Sequence, residues 1–280
     1  MKKHAFLMTA YCCPDLINRT LDKYASCFDI YIHIDKKSDL NPEDLHVSES
    51  VTVIKELNVN YGGYNHLRAF LRLMELAQSK RHYDYYHLIT GQDCVVAKPE
   101  TFDILMDGKT HISFDFASKV WTDETVDIRY NRYRFIDFFN LKKHHHRRWE
   151  RRLTQFLMCL GIRQPRIKEP LYAGNTYCSL TDEAVSYILS QGETLCRRLR
   201  YTLIPEEVFF QTMLLNSPLR DKVDGNCLRL IIWPGDGGSS PKTLDESDYE
   251  ELTSGKYLFG RKIDPVKSAS LMKMLDDRGA

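Results

Sequence analysis

Short apolar runs alternate with helix-forming stretches through the first 100 residues, and this alternation restricts the fold more than any other feature. The apolar runs fall at residues 5–10, 29–34, 51–54 and 85–90. Apolar spacing and helix-starting residues predict helices after Pro14, Gly63 and Pro99. Parallel strands need a crossover connection, usually a helix. The pattern therefore predicts an α/β fold with a mostly parallel sheet and helices on both faces.

The second half of the chain is less regular. It contains predicted strands near 172–180 and 227–233, predicted helices near 182–190, 206–216 and 266–275, and a Gly/Ser/Pro loop at 234–241. No internal repeat and no long linker separates these elements. We therefore expect a single compact domain over residues 1–280.

Charge and cysteine usage exclude several classes of protein. The formal net charge of +1 gives no general attraction to nucleic acid. The eight cysteines include no C-x-x-C pair, which favours reduced thiols and a cytoplasmic location. The N-terminal apolar run is too short for a signal peptide, and no stretch approaches 18 apolar residues. We expect a soluble protein without a membrane span.

Ligands of parallel sheets bind at the carboxyl ends of the strands, which predicts a site near residues 9–13, Asp35 and residues 91–93. The turn after the first strand has no glycine, and no P-loop sequence occurs, which disfavours dehydrogenases and P-loop NTPases. A carboxylate at Asp35 can accept hydrogen bonds from ribose or uracil. By itself, Asp35 is more typical of a helix cap or a turn.

Glu206 and Glu207 follow Pro205 at the predicted start of a helix, where acids are favoured by the helix dipole alone. Adjacent helical residues point about 100° apart, so this pair cannot act as the facing carboxylates of a glycosidase. If one of the two is catalytic, it acts as a single general base.

Several cations also attract attention. Arg229 interrupts an apolar strand, where a charge is unfavourable unless it meets an anion or reaches the surface. Arg261 and Lys262 follow another apolar pair. Residues 142–152 are strongly basic, and we interpret them as a solvated or flexible segment; the alternative is contact with an anionic acceptor or a membrane surface.

Eight segments, taken together and in order, resemble the Core-2/I-branching enzyme family (glycosyltransferase family 14). They are AFLMTAYCCPDLINRTL, YIHIDKKS, YGGYNHLRAFLRLMELA, YYHLITGQD, GNTYCSLTDEAVSYIL, IPEEVFFQTMLLNS, LRLIIW with the following SSPKTL, and LFGRKIDP. Each segment alone is weak evidence, whereas eight in family order between residues 5 and 265 are specific.

The resemblance implies a GT-A-like fold, with a Rossmann-like nucleotide-sugar-binding half at about 1–120 and an acceptor and catalytic half at about 121–280. It implies inverting transfer of N-acetylglucosamine or xylose from a UDP-sugar to a carbohydrate or glycolipid hydroxyl. The family lacks the metal-binding Asp-x-Asp of most GT-A enzymes, and this sequence contains none. No metal and no other cofactor are expected.

The same resemblance assigns roles to individual residues. Glu207 matches the general base, and Arg229 and Lys262 match the cations that hold the diphosphate. The donor site would further include Tyr11, Asp35, Gly62 and Gly63, and contacts to the sugar or acceptor would come from Gln92, Asp93 and Trp233.

Two other functions remain in competition. A degenerate member of the same fold would bind nucleotide or carbohydrate without turnover. A glycoside hydrolase would need a second, suitably placed acid. Surface polysaccharide or glycolipid assembly, in the cytoplasm or peripherally at the inner membrane face, is the expected setting for the transferase.

Overall fold

The computed structural model describes residues 3–234 and 240–278, and within them the chain forms three β-sheets. The strands are His4–Ala10 (β1), Asp29–Ile34 (β2), Val51–Ile54 (β3), Tyr85–Thr90 (β4), Asp93–Val95 (β5), Thr110–His111 (β6), Asp115–Phe116 (β7), Tyr172–Ala173 (β8), Ser179–Thr181 (β9), Val223–Asp224 (β10), Arg229–Ile231 (β11) and Phe259–Arg261 (β12). The helices are Pro14–Tyr24 (α1), Tyr64–Lys80 (α2), Pro99–Leu105 (α3), Ala117–Val120 (α4), Asp123–Val126 (α5), His144–Cys159 (α6), Asp182–Gln191 (α7), Glu193–Leu199 (α8), Glu206–Leu215 (α9), Tyr249–Leu252 (α10) and Ala269–Asp277 (α11).

The largest sheet has seven strands in the order β10-β6-β9-β4-β1-β2-β3. β1 pairs in parallel with both β2 and β4, so that Leu7 lies opposite Tyr31 and Leu88. The β2–β3 and β6–β10 pairs are also parallel, whereas β9 runs antiparallel to β4 and β6. The predicted α/β class with a mostly parallel sheet is confirmed.

β1 is buried on both faces because successive residues of a strand point to opposite sides of the sheet. Ala5 and Leu7 pack in one core with residues of α2, α7 and α9. Phe6 and Met8 pack in a second core with residues of α1 and α3. A continuous apolar run was therefore the correct signal for this strand.

The second sheet, in the order β11-β12-β5, extends the molecule at the carboxyl end of β4. β12 runs parallel to β11 and antiparallel to β5, with Arg261 opposite Asp93. Its residues share a third core with α10 and α11. Since β5 begins three residues after β4 ends, this sheet brings the C-terminal part of the chain to the edge where β4 stops.

The predicted strand near 172–180 is interrupted. β8 pairs with β7, and β9 pairs with β4 and β6. Gly174 separates the two strands, and a Cβ at this position would lie 1.9 Å from the carbonyl oxygen of Ser113. The strand predicted at 227–233 is shorter, and the last helix begins at Ala269. Residues 235–239 of the predicted loop lie outside the described residues.

The basic segment 142–152 is not a flexible stretch, because most of it belongs to α6. Its arginines are exposed, while Glu150 is buried and bonded to Arg134 at 2.7 Å. The run of basic residues hid the helical spacing of Trp149 and Phe156, and the buried contact of this helix is polar. Within the described ranges, no helix is both long and apolar enough to cross a bilayer.

Candidate active site

A cavity of about 1010 Å³ opens at the carboxyl edge of the parallel strands, where the topology predicts a ligand site. The chain leaving β1, β2 and β4 lines one part of it. The first turn of α9 and the end of β12 line another part. Among the residues assigned from the sequence, the cavity brings together Tyr11, Asp35, Gly62, Gln92, Glu207, Trp233 and Lys262.

Asp35 lies at the cavity wall, directly after β2, and is almost fully buried. Its Oδ1 accepts hydrogen bonds from the backbone N–H of Val59 at 2.9 Å and of Lys37 at 3.2 Å. The Lys37 Nζ is 3.4 Å from Oδ2. A carboxylate has about four acceptor positions, so Asp35 keeps capacity for a ligand N–H or O–H.

Gly62 and Gly63 form the turn that leads into α2. Gly62 has φ +74°, and its carbonyl oxygen accepts a 2.8 Å hydrogen bond from Ile204, which ties the turn to the start of α9. A Cβ on Gly63 would lie 2.4 Å from Oδ1 of Asp137. That same oxygen accepts a hydrogen bond from the N–H of Asn65 at the first turn of α2. Gly63 therefore supports the cavity from behind.

Tyr11, Gln92 and Trp233 lie on the cavity surface. The Tyr11 hydroxyl donates to Oε1 of Gln92 at 3.1 Å, and Lys142 Nζ lies 5.5 Å from the centre of the Tyr11 ring. Burial and the neighbouring Cys12 raise the pKa of Tyr11 to about 12, so this hydroxyl remains a hydrogen-bond donor at neutral pH. Trp233 is half-exposed, which leaves its ring free to stack against a ligand.

Glu207 faces the cavity from the first turn of α9. Its Oε2 accepts a 2.8 Å hydrogen bond from Arg129, whose guanidinium also lies 4.3 Å from the Trp121 ring centre. Burial raises the pKa of the Glu207 carboxyl, while Arg129 acts in the opposite direction. The Glu207 carboxylate therefore binds a proton more readily than an exposed one, and when it is ionised Arg129 remains its counter-charge.

Glu206 lines the same cavity but has different partners. Its Oε1 lies 2.9 Å from Nδ1 of His66, and Nε2 of that ring lies 3.3 Å from the Thr9 hydroxyl. A carboxylate oxygen accepts hydrogen bonds, so Nδ1 of His66 is the donor in the pair with Glu206. This network was not predicted, because no local pattern links residues 9, 66 and 206.

Arg261 is a largely buried cation of the cavity wall. It donates to Oδ1 of Asp93 and to the hydroxyl of Thr90, both at 2.6 Å, and stacks on Tyr177 at 4.0 Å. The carboxylate of Asp93 holds the pKa of Arg261 above its usual range, despite burial. Lys262 follows it on the cavity wall. Asp93 itself is buried and is not among the cavity-lining residues. It is therefore not placed for the predicted contact with sugar or acceptor, and it holds the Arg261 guanidinium instead.

The predicted role of Arg229 also requires correction. It was expected to bind a diphosphate, but it is only 6% exposed and does not line the cavity. Its guanidinium donates to the carbonyl oxygens of Cys178 at 2.6 Å and Cys227 at 2.5 Å, and it lies 4.6 Å from the Phe259 ring centre. The Arg229 guanidinium is therefore compensated by backbone carbonyl oxygens and not by an anion. Arg261, on the neighbouring strand, occupies the position expected for Arg229.

The cavity thus combines acids, among them Asp35, Glu206 and Glu207, with cations that include Lys37, Lys142, Arg261 and Lys262. Across residues 3–234 and 240–278, no three His, Cys, Asp or Glu side chains are grouped closely enough to hold a metal ion. The arrangement can accept a proton at Glu207 and neutralise negative charge near Arg261 and Lys262.

A sequence model of the Core-2/I-Branching enzyme family matches residues 5–256. The match includes the strands whose carboxyl ends form the cavity and the helix that carries Glu207. The chain belongs to this glycosyltransferase family. Membership agrees with the eight segments recognised in the sequence.

Individual relatives are distant. Xylosyltransferase 1 of Homo sapiens is 22% identical over 274 residues, which cover 88% of this chain and 27% of that protein. Xylosyltransferase 2 of Canis lupus familiaris is 24% identical over 272 residues, covering 88% and 30%. The chain thus spans less than a third of these relatives. A solved mannose-1-phosphate geranyltransferase from Thermus thermophilus has a TM-score of 0.32 at 10% identity, covering 76% of this chain and 72% of that chain, and supports no functional conclusion.

The placement of Arg229 leads to a stability prediction. Arg229→Met should lower the free energy of unfolding by about 1.5–3 kcal/mol, because the charge-assisted hydrogen bonds from its guanidinium to Cys178, Cys227 and Ser179 are lost. Urea denaturation followed by circular dichroism measures this change. Arg197→Met is the control: its side chain is 71% exposed, so we expect a change within about 0.5 kcal/mol. Equal stability of the two variants would contradict a structural role for Arg229.

Proposed function

We propose that this chain transfers a sugar from a UDP-sugar to a hydroxyl of a carbohydrate or glycolipid, with inversion at the anomeric carbon and without a metal ion. The observation that carries the proposal is the presence of Glu207 and the Arg261–Lys262 pair in one cavity. A single carboxylate and adjacent cations are the two requirements of such a reaction.

Glu207 acts as the general base. In an inverting transfer, one carboxylate takes the proton of the acceptor hydroxyl as its oxygen attacks the anomeric carbon, while the bond from that carbon to the diphosphate breaks. Burial gives Glu207 an increased proton affinity, and Arg129 engages only Oε2. Within the described part of the chain, Oε1 has no hydrogen-bond partner and is available to the acceptor.

Arg261 and Lys262 stabilise the leaving diphosphate. Negative charge develops on this group as its bond to the sugar breaks, and fixed cations lower the energy of that state. Asp93, Thr90 and Tyr177 hold the Arg261 guanidinium in place, so little reorganisation is needed. This pair replaces the pair Arg229 and Lys262 that the family resemblance suggested.

The uridine is assigned to the wall formed by Asp35, Tyr11 and Gly62, with Gly63 supporting this wall from behind and not lining the cavity. Asp35 retains acceptor capacity for the N–H of uracil or a ribose hydroxyl. The named relatives are xylosyltransferases, which supports xylose as the donor sugar, with N-acetylglucosamine as the second candidate. Gln92 and Trp233 are positioned for the sugar or acceptor. Polysaccharide or glycolipid assembly in the cytoplasm remains the proposed setting.

The competing proposal is a degenerate member of the family that binds nucleotide or carbohydrate without turnover. The presence of both Glu207 and the Arg261–Lys262 pair favours the enzyme. Incubation with UDP-xylose, UDP-N-acetylglucosamine and a panel of glycan acceptors separates the two, because only the enzyme releases UDP. Nuclear magnetic resonance of the product then reports the anomeric configuration.

The first prediction of the proposed mechanism concerns the general base, Glu207. Glu207→Gln preserves an acceptor for Arg129 but cannot take a proton, so turnover should fall by about 10²–10⁴-fold, with unchanged UDP affinity. Glu193→Gln is the matched control, since Glu193 is an exposed acid in the first turn of α8. Glu206→Gln tests the neighbour that is held by His66. A Glu207→Gln variant with nearly normal turnover would place the base elsewhere.

The second prediction concerns the diphosphate. Lys262→Ala should weaken UDP binding at least tenfold and uridine binding hardly at all, because a charge-assisted contact contributes about 1.5–3 kcal/mol. Calorimetry in excess EDTA measures both ligands, and Lys267→Ala, an exposed lysine five residues later, is the control. Equal losses for UDP and uridine would make Lys262 a structural residue. Binding that requires added manganese would contradict metal independence.

The third prediction concerns pH. Arg129 lowers the pKa of Glu207, so Arg129→Gln should raise it. A higher pKa leaves less ionised base at a given pH. The acidic limb of the kcat/KM profile should therefore move to higher pH, while kcat/KM at alkaline pH should approach that of the unmodified protein. Arg132→Gln, whose partner is Asp127 at 2.8 Å, is the control. An unshifted limb with lower kcat/KM at every pH would mean that Arg129 only positions Glu207.

A further inference from the structure

Helix α6 exposes both basic and apolar side chains at its outer surface. Trp149, Phe156 and Leu160 are 58%, 59% and 58% exposed. Arg147, Arg148, Arg151 and Arg152 are also exposed, and none of them has an acidic partner within salt-bridge distance among the residues described. Because the chain as a whole is nearly neutral, this is a local concentration of positive charge.

The helical repeat separates these residues into two adjacent stripes. Trp149, Phe156 and Leu160 are spaced by seven and four places and share one side of the helix. Arg148 and Arg152 follow the neighbouring side, and the Arg152 guanidinium lies 5.3 Å from the Trp149 ring centre. The outer face therefore presents an apolar edge beside an arginine edge, which is the composition of helices that lie in a membrane interface.

The opposite side of α6 attaches the helix to the protein. Glu150 is buried and accepts hydrogen bonds from Arg134 at 2.7 and 3.2 Å. Thr154, one turn later, donates to the carbonyl oxygen of Tyr133 at 3.0 Å. These contacts set the rotation of the helix, so the two stripes face outwards together.

The helix also begins beside the candidate active site. Asn140 and Lys142 precede its first turn and line the cavity. A surface bound through α6 would therefore lie next to the cavity entrance, where an acceptor has to enter.

We propose that the outer face of α6 docks this protein on an anionic phospholipid bilayer. Trp149, Phe156 and Leu160 insert at the level of the headgroups, and Arg148 and Arg152 bind lipid phosphates. The apolar stripe favours a bilayer over nucleic acid, which offers phosphates without an apolar layer. The inference goes beyond the proposed function, because bilayer binding depends on neither donor nor transfer.

The test is co-sedimentation of the full chain with vesicles of 70% phosphatidylcholine and 30% phosphatidylglycerol, and with vesicles of phosphatidylcholine alone. We expect binding to the anionic vesicles that weakens as salt is raised. Arg148→Glu with Arg152→Glu should reduce the partition coefficient at least tenfold, and so should Trp149→Ser with Phe156→Ser.

Lys80→Glu with Lys273→Glu makes the same change in net charge on exposed positions of α2 and α11 and should bind like the unmodified protein. Circular dichroism and UDP calorimetry establish that each variant is folded. Equal binding to both kinds of vesicle, an equal loss in the control, or tighter binding to a short RNA duplex than to the anionic vesicles would overturn the proposal.

Discussion

β1 pairs in parallel with β2 on one side and with β4 on the other, and this arrangement sets the edge of the sheet where the cavity lies. Parallel neighbours cannot be joined by a tight turn, so helices carry the chain back and all three strands end at one edge. Tyr11 and Gln92, 81 residues apart, meet there through a hydrogen bond. The register is strongly specified, because a slip of one residue would exchange Leu7 with Phe6 between two different cores.

The two arginines of the small sheet illustrate how packing separates chemically identical side chains. Arg229 and Arg261 lie on adjacent parallel strands, and both are largely buried. Arg261 has the carboxylate of Asp93 as its partner, so its charge is compensated at the edge of the cavity. Arg229 is surrounded by carbonyl oxygens, and burial lowers its pKa. A guanidinium that donates to the backbone holds strands together, whereas one supported by an acid can also face an anionic ligand.

The sequence was sufficient for features that local patterns encode. Two-sided apolar runs predicted the central strands, and the rule that ligands bind at the carboxyl ends of parallel strands placed Asp35 at the edge where the cavity lies. The sequence did not predict long-range contacts. No residue near Glu207 in the sequence indicates its partner Arg129, which lies 78 residues away. The inward contact of helix α6 was missed for a related reason: it is the pair Glu150–Arg134, whose two members are 16 residues apart. Arg261, and not Arg229, faces the cavity because of side-chain partners that only the packed sheet defines.

Glu206 and Glu207 share a helix turn, yet the structure gives them opposite surroundings. Glu206 is 5% exposed and bonded to His66, so its reach into the cavity is restricted. The side chain of Glu207 is 28% exposed and has one engaged oxygen. A general base must bind a proton readily and still be ionised when the acceptor arrives, and these requirements conflict. Burial alone would favour the protonated acid, and a cation bound to both oxygens would make the carboxylate a poor acceptor. A single contact from Arg129 would meet both requirements if Glu207 is the general base, as proposed.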